Sequence, residues 1–175
     1  VAETREAEEI FGTPKKDLFE HGYGHLDEIM SSLAISSVRV EAGAVPAILV
    51  APSWGPNGLL ETAGQELVNL LLTAGFDVTV RPHPQTKKLT PSVITEIEQR
   101  FSDHHRFHLD NDIASNASML ASDLMISDWS GAALEFAFGL ERPVLFVDVP
   151  RKVNNPGYVR YDAVPLEVSL REALG

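Results

Sequence analysis

Serine, aspartate and glycine residues follow an apolar run in the second half of the chain, and this segment is the first candidate for chemistry. Residues 123–126 predict a strand, and a tight turn follows at residues 127–131, with the sequence SDWSG. Residues 132–138 then have the apolar spacing of a short helix, which is expected to end at Gly139. A small-residue turn between a strand and a helix points backbone N–H groups at one spot. The segment therefore predicts an anion or nucleotide site.

Five residues of this segment are predicted to take part in the site. Ser130 can cap the helix while it offers a hydroxyl, and Gly131 lets a phosphate approach the backbone closely. Glu135 lies one turn into the helix, where it could accept hydrogen bonds from a ribose. Ser127 is included as a further ligand contact, and Asp128 is expected to orient the turn by accepting from backbone N–H groups. Each residue taken alone also fits a structural role, as a helix cap, a packing glycine or a solvated carboxylate.

Side chains that follow two earlier predicted strands are expected at the same edge of the sheet. One strand ends in Arg81, and His83 follows it between two prolines. His83 could hydrogen-bond phosphates or, as an imidazolium, stabilise a leaving diphosphate, whereas Arg81 could neutralise phosphate charge. Ser53 and Trp54 follow the first predicted strand, and Trp54 could stack on a base or a sugar. The structural alternatives are a cap for His83, a surface salt bridge for Arg81 and core packing for Trp54.

The order of elements around these residues predicts the fold. From residue 47 to residue 148, about five apolar strands alternate with helices, and such crossovers enforce a parallel sheet with right-handed connections. The expected fold class is α/β, a Rossmann-like, doubly wound parallel sheet. Residues 46–175 are assigned to this domain, and residues 1–45 to an N-terminal helical segment and linker. Helices are expected near residues 26–33, 67–74, 90–101, 115–121 and 166–174, and a glycine-rich loop at residues 21–25.

Composition and charge exclude several classes of function. The 175 residues carry a net charge of −11, which argues against a general nucleic-acid binder because such proteins present a basic face. The chain has no cysteine, so disulfides, thiolate metal sites and cysteine nucleophiles are excluded. No apolar run approaches the length of a membrane span, and a cytoplasmic location is expected. The spacing of His104, His105 and His108 with Asp103 fits no usual metal site, so neither a metal nor a cofactor is predicted.

The paired motifs resemble those of a known family. Residues 81–84 (RPHP), residues 127–131 with Glu135, and residues 142–148 look like motifs of the CDP-glycerol glycerophosphotransferases. These enzymes are teichoic-acid and capsule polymerases of the GT-B superfamily. Residues 22–27, 52–54 and 155–162 are similar to further stretches of the family, and the resemblance covers most of residues 20–165.

The resemblance implies a function. It identifies the chain as the C-terminal, donor-binding domain of a transferase, which is one half of a GT-B fold. The transferase would move glycerol phosphate from CDP-glycerol to a polymer acceptor in teichoic-acid or capsule-type polysaccharide synthesis. The acceptor-binding N-terminal half is then missing from this chain, which is expected to be inactive alone. The missing half would also bring any peripheral contact with the cytoplasmic membrane. His83 becomes the catalytic candidate. The donor-binding residues are Ser53, Trp54, Arg81, His83, Ser127, Asp128, Ser130, Gly131 and Glu135.

Two other functions stay open on the sequence. Active members of the family tend to have a second hydroxyl residue where this chain has Gly131, and a serine–glycine turn is closer to the UDP-N-acetylglucosamine 2-epimerases. The donor could therefore be a nucleotide sugar used by a glycosyltransferase or an epimerase-like domain, and the choice between cytidine and uridine stays open. The non-enzymatic alternative is a Rossmann module that docks to a partner. Its apolar face would consist of Ile10, Phe11, Phe19, Leu26 and Ile29.

Overall fold

The structure is a computed structural model that describes residues 2–35, 44–112, 115–150 and the single residues 160, 164, 168 and 169. Most of the aromatic tail and final helix expected at residues 155–162 and 166–174 lies outside these described residues. The chain forms two compact units, Val1–Tyr23 with Lys152–Gly175, and Gly24–Arg151. Along the described residues, no helix combines the length and hydropathy needed to cross a membrane.

The first unit begins with helix α1 (Ala2–Phe11), which is organised around the carboxylate of Glu8. Glu8 is only 5% exposed, and its Oε2 accepts from Arg5 Nη1 at 2.8 Å. Its Oε1 accepts from the backbone N–H of Lys16 at 2.9 Å, which folds the chain back after the positive-φ residue Gly12. The hydrogen bonds from Arg5 and from the Lys16 backbone lower the pKa of Glu8, because they favour the charged carboxylate.

The second unit is built on a five-stranded sheet in which every paired strand is parallel. Its strands are β1 (Ala47–Val50), β2 (Asp77–Val80), β3 (Phe107–Leu109), β4 (Leu124–Ser127) and β5 (Val144–Phe146). The strand order is β3-β2-β1-β4-β5. This arrangement confirms the predicted α/β class and its Rossmann-like, doubly wound sheet.

Helices cover both faces of the sheet, which gives two apolar cores. They are α2 (Gly24–Ile35), α3 (Leu59–Thr73), α4 (Pro84–Leu89), α5 (Pro91–Phe101), α6 (Ala117–Ala121) and α7 (Gly131–Leu140). Neighbouring residues of a strand point to opposite faces, so Ile48 and Val50 join the core beneath α3 and α5. Leu49, between them, joins the core of α2, α6 and α7. Helix α2 thus belongs to the same compact unit as the sheet, although the sequence analysis assigned residues 1–45 to a separate segment.

The end of α7 differs from the prediction. Gly139 does not terminate the helix, because α7 continues to Leu140 and the left-handed terminator is Glu141, with a φ of 53°. Gly139 is needed for packing: an ideal Cβ on it would lie 2.9 Å from Cγ2 of Ile29 in α2. Ile29 is fully buried at this contact, so it is not part of an exposed docking face. Gly139 therefore allows α2 and α7 to approach each other closely.

Candidate functional site

A cavity of about 170 Å³ lies where the strand order of the sheet reverses, next to the adjacent strands β1 and β4. Doubly wound sheets bind their ligands outside the carboxyl ends of the strands at such a switch point. The lining comes from the loops after β1 and β2, strand β4, the starts of α4 and α7, and helices α2 and α6. It consists of His25, Ala51, Pro52, Arg81, Pro82, His83, Pro84, Asn116, Met119, Met125, Ser130, Ala132 and Glu135.

Four of the predicted site residues line this cavity, namely Arg81, His83, Ser130 and Glu135. The other five do not line it: Ser53, Trp54, Ser127, Asp128 and Gly131. Trp54 is nevertheless a neighbour of the cavity, because its ring centroid lies 6.1 Å from that of His83. The predicted residues therefore divide into a group that faces the cavity and a group that surrounds or supports it.

Asp128 is buried and connects the end of β4 with the loop after β1 and the start of α3 through hydrogen bonds. It is 1% exposed, and its two carboxylate oxygens accept from the backbone N–H groups of Ser53, at 2.6 Å, and Leu59, at 3.0 Å. The prediction that Asp128 accepts from backbone N–H groups agrees with this geometry, but the donors belong to the loop after β1 and to the start of α3, not to its own turn. Asp128 thus fixes the loop that contributes Pro52 to the cavity.

Ser127 has a structural hydrogen bond in place of the predicted ligand contact, and the backbone of Ser53 holds its loop to Asp128. Ser127 is fully buried, and its hydroxyl donates to the carbonyl of Ala51 at 2.8 Å. Ser53 is 8% exposed, and its backbone N–H is the donor to Asp128. Because a fully buried hydroxyl cannot reach a ligand in the cavity, we correct the role of Ser127 to that of a cross-link between β4 and the end of β1.

His83 is the N-cap of α4, a short helix that the sequence analysis did not predict. Its Nδ1 accepts from the backbone N–H of Gln85 at 3.0 Å, and Pro84 occupies the first turn. Since Nδ1 uses its lone pair as an acceptor, the ring proton is assigned to Nε2, so the ring is the neutral tautomer. The cap alternative is thus realised at the helix. In this tautomer Nε2–H could donate to a phosphate, as predicted for His83.

Arg81 lines the cavity and supplies positive charge to it. Its Nε lies 3.9 Å from Oδ2 of Asp110, and its Nη1 lies 3.5 Å from the hydroxyl of Ser118. The side chain is 15% exposed. A partly buried guanidinium at this place can balance the negative charge of an anion in the cavity.

The start of α7 contributes backbone donors. Ser130 occupies the N-cap position, but its side chain makes no capping hydrogen bond. A Cβ built on Gly131, the first residue of α7, would meet no atom within 4 Å, so the space next to this backbone is open. The first N–H groups of a helix have no intrahelical acceptor and carry the positive end of the helix dipole. This helix start can therefore receive a negative group beside the Ser130 hydroxyl.

Glu135 faces a histidine from another helix. Its Oε2 lies 3.7 Å from Nε2 of His25, and the Glu135 side chain is 18% exposed. His25 was expected in a glycine-rich loop, but it lies in the first turn of α2. Asn116, which was not among the predicted site residues, occupies the N-cap position of α6 without a side-chain capping bond. Its position before the apolar helical residues was the available signal for it.

Within the described residues, no group of three or more His, Asp or Glu side chains is arranged to hold a metal ion. The rings of His104 and His105 stack with their centroids 5.1 Å apart, and Nδ1 of His104 accepts from the Arg106 backbone. These histidines therefore organise the turn between α5 and β3.

Comparison with known proteins gives a family and two similar structures. A family described as CDP-glycerol:poly(glycerophosphate) glycerophosphotransferase matches residues 2–152. The wall teichoic acid polymerase TagF, in a structure with CDPG, is 23% identical and covers 70% of this chain and 26% of that chain, with a TM-score of 0.37. A putative UDP-N-acetylglucosamine 2-epimerase from Listeria monocytogenes is 19% identical and covers 90% of this chain and 40% of that chain, with a TM-score of 0.46. No curated protein matches the chain.

The chain thus spans about a quarter of the length of TagF and less than half of that of the epimerase, at 26% and 40%. The family match extends from α1 past β5 and includes both predicted motifs, residues 81–84 and 127–131. The prediction drawn from those motifs is confirmed: the chain belongs to the CDP-glycerol:poly(glycerophosphate) glycerophosphotransferase family.

Proposed function

We propose that this chain is the donor-binding domain of a CDP-glycerol glycerophosphotransferase, one half of a GT-B fold that acts in teichoic-acid or capsule-type polysaccharide synthesis. The observation that carries the proposal is the cavity at the switch point of the sheet, where Arg81, His83, Ser130 and Glu135 converge. Family membership supports the choice of donor, because the family is described by its CDP-glycerol chemistry.

In this proposal the diphosphate of the donor binds at the start of α7. The N–H groups of the first turn and the Ser130 hydroxyl donate to its oxygens, and the open space beside Gly131 accommodates a phosphate. Arg81 supplies balancing charge, and Nε2–H of His83 donates to a phosphate oxygen. Glu135 accepts hydrogen bonds from the ribose hydroxyls. Trp54 lies next to His83 as a flanking surface for the bound nucleotide.

The reaction we propose is a phosphoryl transfer. An acceptor hydroxyl of the polymer attacks the β-phosphorus of CDP-glycerol and forms a new P–O bond. The bond between the β-phosphorus and the oxygen that bridges to the α-phosphorus breaks. CMP leaves with that oxygen, and the proton of the hydroxyl passes to a general base or to solvent. Preorganised donors and positive charge contribute most in such reactions, since they stabilise charge that develops on the phosphate oxygens and the leaving group. His83 and the start of α7 would have this role.

We propose that a second, acceptor-binding domain completes the catalytic cleft and holds any general base. On this proposal the chain alone binds nucleotides but turns over little or no CDP-glycerol. The acceptor polymer and any peripheral contact with the cytoplasmic membrane belong to that second domain. Because the proposed donor is an activated nucleotide, we also propose a cytoplasmic location for this domain.

Calorimetric titration of the chain with CMP, CDP-glycerol, UDP and a UDP-sugar tests the proposal. We expect the cytidine ligands to bind, and Ser130→Ala and Glu135→Ala to weaken that binding about ten- to hundredfold, the range for loss of one hydrogen bond to a charged group. Ser102→Ala is the matched control, because Ser102 is exposed at the end of α5. Preference for uridine ligands would reassign the chain to nucleotide-sugar chemistry, and absence of binding to all four would contradict the donor-binding role.

A further inference from the structure

His25 stands between two carboxylates at the edge of the cavity. Its Nε2 lies 3.7 Å from Oε2 of Glu135, and its Nδ1 lies 3.3 Å from Oε2 of Glu28. The His25 side chain is 41% exposed, Glu135 is 18% exposed and Glu28 is 70% exposed. His25 and Glu135 both line the cavity, whereas Glu28 does not. The contact with Glu135 is therefore the one that bears on a ligand.

The helix that carries His25 is held firmly in place. Ile29 lies one turn after His25 in α2, and Gly139 lies one turn after Glu135 in α7. Ile29 is fully buried, and its Cγ2 would lie 2.9 Å from a Cβ on Gly139. The two helices therefore contact each other at two successive turns. His25 meets Glu135 at the first turn, and Ile29 meets Gly139 at the next. The close contact between Ile29 and Gly139 fixes the distance at which His25 and Glu135 can interact.

We infer that His25 is a positioning residue for Glu135, a role that rests on the proposed function of Glu135 as the ribose acceptor. A carboxylate close to a diphosphate repels it, so the direction in which the Glu135 carboxylate is held decides whether one cavity suits both a ribose and a diphosphate. The contact with His25 on α2 also restricts the rotamers of Glu135, which reduces the conformational entropy lost when a ribose binds. His25 acts through Glu135 and does not itself contact the ligand.

A double-mutant cycle tests the inference with two probes, CMP and inorganic pyrophosphate. CMP contains the ribose, and pyrophosphate lacks it. We expect His25→Ala to weaken CMP binding about two- to fivefold, as expected for loss of a partly exposed pair, and to leave pyrophosphate binding unchanged. In a Glu135→Gln background the same change should have no further effect on CMP. His25→Gln, which keeps an N–H donor at similar reach, should restore part of the affinity. Glu28→Gln should behave as wild type.

Urea denaturation of the ligand-free chain tests the contact itself. The midpoint shifts of His25→Ala and Glu135→Gln should fail to add in the double variant. Additive shifts would overturn the inference whatever the titrations show. An equal loss of CMP and pyrophosphate affinity in His25→Ala would also overturn it, because His25 would then contact phosphate directly. If the wild-type chain bound neither probe but the urea shifts were non-additive, the proposed function would fail and the positioning of Glu135 by His25 would stand.

Discussion

Asp128 accepts a hydrogen bond from the backbone N–H of Ser53 at 2.6 Å and thereby joins the carboxyl ends of β4 and β1. These two strands are neighbours at the switch point of the sheet, where the cavity lies. The second oxygen of Asp128 accepts from Leu59 at the start of α3. One buried carboxylate thus sets the shape of the loop beside the candidate site without facing the cavity.

Replacement of Asp128 by Asn should destabilise the fold. The amide has one oxygen for two buried N–H donors, and its NH₂ group would face the other donor. We expect a loss of about 2–4 kcal/mol in the free energy of unfolding, measured by urea denaturation. Asp103→Asn, at an exposed position, should change it by less than about 0.5 kcal/mol. Equal stability of the two variants would contradict the role assigned to Asp128.

His83 can be tested with two substitutions that separate its cap from its ring. Asn can cap α4 as His83 does but has no group at the position of Nε2, whereas Ala loses both. We expect His83→Ala to lose about 1 kcal/mol of stability and His83→Asn to stay close to wild type. Both should weaken CDP-glycerol binding about tenfold or more, because both lose the Nε2–H donor to a charged phosphate. Wild-type affinity in His83→Asn would show that His83 is only a cap.

Gly139 and Gly131 lie in one helix and should respond in opposite ways to the same substitution. A Cβ on Gly139 would press on the buried Ile29, so Gly139→Ala should cost about 1–2 kcal/mol even after the gain in helix propensity. Gly131→Ala meets open space and should keep or slightly raise the stability. The added methyl should instead weaken CDP-glycerol binding at the helix start. Thermal unfolding and calorimetry of both variants measure the two effects, and a stable Gly139→Ala would refute the packing argument.

Glu8 should make the stability of the first unit depend on pH. Its pKa is lowered in the folded chain by hydrogen bonds from Arg5 and the Lys16 backbone, so the unfolded chain binds the proton more tightly. Its contribution to stability is present above the unfolded pKa and is lost as the pH falls through the folded pKa. Hydrogen exchange of α1 should therefore be faster in Glu8→Gln than in wild type at pH 7, and the difference should shrink in acid. A difference that grew in acid would be inconsistent with this sign.

The positions of the strands could be predicted because each is a short apolar run bounded by turn residues. All five observed strands overlap the predicted runs, although β4 extends one residue into the predicted turn, to Ser127, and parallel pairing follows from the helices between the strands. The RPHP and SDWSG motifs were recognisable for the same reason, since they stand directly after β2 and at the end of β4. Local sequence therefore identified the edge of the sheet at which the cavity lies.

The features that were not predicted depend on contacts between distant parts of the chain. Gly139 does not end α7 but provides the space into which Ile29 packs, and no local pattern near Gly139 reveals this contact. The burial of Ser127 and the hydrogen bonds of Asp128 likewise involve the loop after β1. Helix α4 is an exception, because Pro84 after His83 is a local signal for the start of a helix. The prediction uses this proline only as the end of a strand.

The most direct test of the central claim is to map CDP-glycerol on the isotopically labelled chain by NMR. We predict that the largest shift changes on titration occur at the backbone amides of Gly131 and Ala132 and in the ring signals of His83, with smaller changes at Glu135. These groups surround the switch-point cavity and the start of α7. Changes confined to the far side of the sheet, around α5 and β3, or no change at the α7 amides at saturating ligand, would contradict donor binding at this site.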